Sequence, residues 1–142
     1  MPQPDAMLLI EAACGGGTRC GSKNVVEGVP ELVAEVAASS RSIDMGPKLR
    51  AYLRNGVREY LVWRSRQRAL DWFRLRDGAY EKLPLGSDGI VRSEVFPGLW
   101  LRPEVAASHD WIASEAALEA GLASPEHAAF VAELARRKEA SP

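Results

Sequence analysis

Residues 31 to 39, ELVAEVAAS, alternate. Glu31, Val33, Glu35 and Ala37 share one side, and Leu32, Ala34, Val36 and Ala38 share the other. A period of two predicts a strand with a cleanly apolar face and a face that mixes acids with small side chains. PDAMLLI (4 to 10) is a short apolar run and predicts a strand ahead of it. The glycine-rich stretch from 11 to 30 reads as a loop. Asp44 is a suitable N-cap, Pro47 fits a first helical turn, and Leu49, Tyr52 and Leu53 follow helical spacing up to Gly56. REYLVWR (58 to 64) and ALDWFRLR (69 to 76) are rich in aromatic and β-branched residues and predict an antiparallel hairpin. Asp77-Gly78 turns the chain into a third strand, AYEKLPL. The stretch IVRSEVFPGLWLRPE predicts one or two short strands broken by Pro97 and Gly98. Helical spacing then takes over, with Trp111, Glu115, Leu118 and Leu122 in one run and His127, Phe130, Val131 and Leu134 in the next. Ser124-Pro125 marks a helix start. The order β, β, α, β, β, β, then helices, predicts an α/β (α+β) fold with a mixed sheet flanked by helices and a helical C-terminal tail.

The totals narrow the class. A length of 142 residues suits one core, and 46% hydrophobic against 26% charged residues argues against disorder. No run of 18 apolar residues and no secretory leader are present, which predicts no membrane partner and a cytoplasmic location. Cys14 and Cys20 lack zinc-knuckle spacing and read as reduced thiols in a loop. The net charge of −1 excludes a globally basic nucleic-acid binder, but the charge is unevenly spread. Residues 50 to 76 hold eight arginines against Glu59 and Asp71, while residues 77 to 142 hold six bases and eleven acids. Two readings account for this: a basic face for phosphates, or arginines protecting exposed strand faces and edges.

Glu35 carries the chemical interest. A mid-strand carboxylate is costly to desolvate unless it is paired or binds a metal. Glu31 lies four residues away, roughly 13 Å along a strand, and cannot share an ion whose oxygen ligands sit within about 2.6 Å. A second acid must come from another strand, and Asp5, after Pro4, is the nearest candidate. Each residue also has an ordinary reading: Asp5 as a surface acid, Glu35 paired with an arginine, Lys48 as a solvated helix lysine. Tyr60, Trp63, Trp72, Phe73 and Trp100 read as core, because aromatic side chains dominate burial.

Pro-Asp on one strand, Glu on the next and then Lys resembles the PD-(D/E)XK nuclease site. The lysine usually stands two residues after the acid; that position here is Ala37, and Lys48 of the following helix takes its place. The longer pattern of PELVAEVAASS, DMGPK, LRAYLRNGVREYLVW and FPGLWL resembles the Uma-type (Uma-two) family of restriction endonucleases in that superfamily. The matching positions are Pro30, Glu31, Leu32, Glu35 and Val36; Asp44 and Lys48; and Gly56, Val57, Glu59, Tyr60 and Trp63. The resemblance implies a restriction-endonuclease-like core over 1–105 with a helical extension over 106–142. It implies a DNA endonuclease with Asp5, Glu35 and Lys48 catalytic, and Mg²⁺ or Mn²⁺ on Asp5 and Glu35. Arg50, Arg54 and Arg58 would then meet DNA phosphates. Glu31 stands as a structural residue and Asp44 as an N-cap. Relatives carry a further helix, strand and acid ahead of Pro4-Asp5. Their absence from this sequence implies an exposed edge at 4–10, relieved by a homodimer, or an inactive member that serves as a binding or regulatory protein.

Overall fold

The computed structural model describes residues 2–38 and 46–142. Nine strands are present among them: β1 (Ala6–Leu8), β2 (Thr18–Cys20), β3 (Val26–Gly28), β4 (Leu32–Ala37), β5 (Glu59–Arg64), β6 (Ala69–Arg76), β7 (Ala79–Lys82), β8 (Val91–Arg92) and β9 (Trp100–Leu101). Four α-helices join them: α1 (Pro47–Asn55), α2 (Pro103–Ala107), α3 (Trp111–Leu122) and α4 (Pro125–Ala140). The main sheet is mixed, in the order β1-β4-β5-β6-β7. β4 and β5 run parallel, so the chain must cross over between them, and α1 makes that connection. The other pairs are antiparallel. The stretch read as a loop contains the small β2–β3 hairpin and two single turns of 3-10 helix, elements too short to leave a periodic signal.

The sheet separates two cores. On one face Val33, Ala37, Tyr60 and Val62 pack with Tyr52 of α1 and with Val57. On the other, Leu32 and Trp72 pack with Leu83 and Val91, flanked by Phe96, Leu99 and Leu101. The acid-bearing face is the covered one, with Val33, Glu35 and Ala37 all buried, whereas Val36 on the apolar face is 62% exposed. The crossover helix decides this: α1 lies over the Glu35 side, and on the other side the β8–β9 unit shelters Leu32.

Helix ends follow the local chemistry. The position before Pro47 that caps α1 is Gly46; the expected cap, Asp44, lies outside the described residues. Gly56 ends α1 with φ +77°, a left-handed conformation suited to glycine. Asp110 caps α3 by accepting from Ala113 N–H at 3.0 Å, and Ser124 caps α4 by accepting from His127 N–H at 3.2 Å. The buried residues of α3 are Ala117 and Gly121, while Trp111 and Leu122 stay exposed. Small residues win here because the backbones nearly touch: a Cβ on Gly121 would stand 2.1 Å from the Gly98 carbonyl oxygen.

Of the predicted core aromatics, Tyr60 and Trp72 are 3% exposed, and Trp63, Phe73 and Trp100 are half-buried. The strand arginines largely serve the sheet. Arg64 donates to Asp71 at 2.5 Å, Arg74 binds both Glu81 and Glu94, and Arg76 reaches Glu81 at 3.2 Å.

Candidate active site

Three segments converge on the covered face of β4. The β1–β4 register pairs Ala6 with Ala34 and Met7 with Val33, so one further step sets Asp5 opposite Glu35. Directly opposed residues of antiparallel strands point to the same face, with Cβ atoms about 4.5–5.5 Å apart. Asp5 Oδ2 accepts the Val36 N–H at 2.8 Å. Lys48 and Tyr52 are four apart on α1 and therefore share a helix face. Both reach Glu35: Lys48 Nζ donates to Oε1 and Oε2 at 3.2 Å each, and the Tyr52 hydroxyl donates to Oε1 at 2.5 Å. Lys48 Nζ also donates to the Gln3 carbonyl at 3.4 Å.

Burial grades the cluster from inside to outside. Tyr52 is fully buried, the Glu35 side chain is 6% exposed, the Lys48 side chain is 49% exposed, and Asp5 is open to solvent. A buried carboxylate is tolerable here because an ammonium and a phenol satisfy its oxygens. The Val36 N–H holds the Asp5 carboxyl below its ordinary range, aided by the Lys48 charge. Burial, then the bond to Glu35, pushes the Tyr52 phenol well above the usual tyrosine range, so it stays a donor. Burial and the charges of Glu35 and Asp5 push Tyr60 up to about 12. A cavity of about 290 Å³ opens beside the cluster, bordered by Glu35, Lys48, Ala37 and Tyr60.

Two carboxylates face one ammonium, so the cluster keeps a surplus negative charge. The donor set is all oxygen apart from the lysine, which suits a hard divalent cation. No group of three or more acid, histidine or cysteine ligands exists among the described residues, so protein oxygens would supply only part of a coordination shell. Mg²⁺ commonly retains several waters with one or two carboxylates, and that demand fits Asp5 and Glu35.

Other acids are committed elsewhere. Glu31 is buried and accepts from Ile10 N–H at 2.7 Å and Gly17 N–H at 3.0 Å, pinning the 11–30 segment to β4. Asp71 binds Arg64 and Lys82. Arg50 and Arg54 lie exposed on α1, the helix that carries Lys48. Arg58 is not gathered with them. It precedes Val62, the β5 neighbour of Glu35, by four residues, about 13 Å of strand, and it borders a different cavity. Sequence reasoning missed Tyr52 as a partner of Glu35, although its i+4 spacing from Lys48 carried the signal. His127 Nδ1 meets the Pro97 carbonyl at 2.9 Å, and His109 lies against Trp63 and Trp111.

No curated protein matches the chain. A family model does: Uma2, described as "Putative restriction endonuclease", matches residues 1–104, which takes in all nine strands and α1. The match therefore spans the sheet, the crossover helix and the Asp5–Glu35–Lys48 cluster, and the chain belongs to the Uma2 family.

Proposed function

We propose that the protein is a divalent-metal-dependent DNA endonuclease that hydrolyses phosphodiester bonds at the Asp5–Glu35–Lys48 cluster. The observation that carries this reading is the meeting of two carboxylates and an ammonium from three separate segments, in a chain of the Uma2 family. Asp5 and Glu35 would hold Mg²⁺ or Mn²⁺. When bound, such an ion supplies Lewis-acid stabilisation of the negative charge that builds on the phosphate oxygens. In the net reaction a water oxygen bonds to phosphorus, one P–O ester bond breaks, and the departing oxygen takes a proton.

The chain's own groups divide the remaining work. Lys48 has three N–H donors and a half-exposed side chain, so by giving up its long contact to the Gln3 carbonyl it would donate to the attacking water or to a phosphate oxygen while remaining tied to Glu35. Tyr52 positions Glu35 from the buried side. Arg50 and Arg54, exposed on the helix that carries Lys48, would meet DNA phosphates.

Plasmid nicking in Mg²⁺ or Mn²⁺ tests the proposal. Wild type is expected to cleave, and Glu35→Ala and Lys48→Ala to lose activity at least a hundredfold. Equal nicking by Glu35→Ala would assign the activity to a contaminant. A second reading, a non-cleaving member that binds or regulates, draws on one observation: the Glu35 oxygens are already met by Lys48 and Tyr52. Calorimetry with Mn²⁺ separates the two, because heat that vanishes in Asp5→Asn favours the enzyme and no heat in wild type favours the binding protein.

A further inference from the structure

A cavity of about 450 Å³ lies away from the Asp5–Glu35 cluster, where the start of β5 and the Glu94–Pro97 turn meet α4. Its size falls within the range of small-molecule sites. Part of its wall is Phe130 and Arg137 of α4, which lies beyond the family match at residue 104. Three guanidiniums border it: Arg58, Arg74 and Arg137. The acids around it are already engaged. Glu59 accepts four hydrogen bonds from the protein, and Glu94 is bound to Arg74, whose other partner is Glu81.

The cations are held in place to different degrees. Arg74 is fixed between its two glutamates, and its side chain is only 17% exposed. Arg137 pairs with Glu133 at 3.1 Å on its own helix, and its stem passes over Gly15, where a Cβ would meet Arg137 Cδ at 3.2 Å. The Arg58 guanidinium has no partner among the described residues, although the side chain borders the cavity. Among the lining residues three guanidiniums stand against two carboxylates, Glu59 and Glu94, and one of the three, Arg58, is unspent. Guanidiniums offer paired N–H donors that match the oxygens of a phosphate, and a dianion can satisfy more than one of them. The lining also has an apolar part, Phe130 and Pro97, with the Phe130 ring edge-on to Phe96 at 6.2 Å between ring centres.

We propose that this cavity binds a small phosphomonoester, with its phosphate on Arg58 and Arg137 and a planar body against Phe130 and Pro97. The C-terminal helix thereby gives the Uma2 core a second anion site, separate from the hydrolytic one.

Calorimetry on the full chain at low salt tests this with two probes, inorganic phosphate and a 5′-mononucleotide. The mononucleotide is expected to bind more tightly than phosphate. Arg58→Gln should weaken both by about tenfold or more, equivalent to about 1.4 kcal/mol, with an unchanged melting profile because the side chain is exposed. Phe130→Leu should weaken the mononucleotide and leave phosphate binding intact. Glu35→Gln should bind both probes like wild type. The proposal is overturned if wild type gives no heat with either probe, if Arg58→Gln binds like wild type, or if Glu35→Gln abolishes binding. Displacement of the mononucleotide by a short DNA duplex would also overturn it, by making the cavity part of the DNA-binding face.

Discussion

Glu59 has no exposed surface, yet it carries a carboxylate in the middle of the sheet. Trp72 Nε1 donates to it at 3.1 Å, the Ser93 hydroxyl at 2.8 Å, and the Glu94 and Val95 N–H groups at 2.8 and 3.1 Å. A single side chain thus fixes the 93–96 turn against β5 and β6. Glu59→Ala would strand four donors, each costing about 1–3 kcal/mol if left unsatisfied. We expect a loss of at least about 3 kcal/mol in urea denaturation, and a smaller loss for Glu59→Gln, which keeps an acceptor. A loss below about 1 kcal/mol in Glu59→Ala would show that water replaces the carboxylate. Glu35 contrasts with it: its partners are side chains rather than backbone, and one of them, Lys48, is half in solvent. Backbone donors from a single turn suit a fixed anchor.

At the level of elements, two glycines do opposite things. Gly56 supplies a backbone conformation, with φ +77° at the end of α1 and nothing within 4 Å of an added Cβ. Gly121 supplies space, since an added Cβ would collide with the Gly98 oxygen at 2.1 Å and with Trp100 at 2.8 Å. Gly56→Ala should therefore cost about 1 kcal/mol, from the left-handed geometry alone. Gly121→Ala should cost more, about 2–3 kcal/mol, because α3 must move off β9. Chemical denaturation of the two variants side by side checks the order, and equal losses would contradict the close approach of α3. The placement of α1 also matters for the site. Its i and i+4 side chains descend on Glu35 together, so any shift of the helix moves Lys48 and Tyr52 as a unit.

In the molecule as a whole, the cluster joins parts of the chain that are far apart in sequence. Asp5 stands ahead of the edge strand, Glu35 in the next strand, and Lys48 on the crossover helix. β1 is exposed along its length, with Met7 38% and Leu8 44% accessible, and few side chains bury it. An ion held by Asp5 and Glu35 would tie that edge to the sheet. On the proposed reading, Mn²⁺ at about a hundred times its Kd adds about 2.7 kcal/mol to stability, and a chelator removes it. Differential scanning calorimetry should show this shift in wild type and not in Asp5→Asn. The same shift in Asp5→Asn would place the ion elsewhere.

Local chemistry determined the elements. The strand Leu32–Ala37, the helical spacing before Gly56, the hairpin from 58 to 76 and the C-terminal helix that starts at Ser124-Pro125 all depend on near neighbours, and all are found. The family signature was legible too, because its spaced residues are fixed in order along the chain. What the sequence left open was decided by contacts between distant segments. Alternation alone does not say which face of β4 is buried; α1 chose the side with Glu35, leaving Val36 in solvent. Nor does it say that Arg64, Arg74 and Arg76 are engaged by acids of neighbouring strands, because register sets those pairs. The meeting of Asp5 with Glu35 rests on the antiparallel register of β1 and β4, and the reach of Lys48 rests on the packing of a crossover helix. A strand's period fixes which residues share a face, but only the partners across the sheet and above it determine what that face can do.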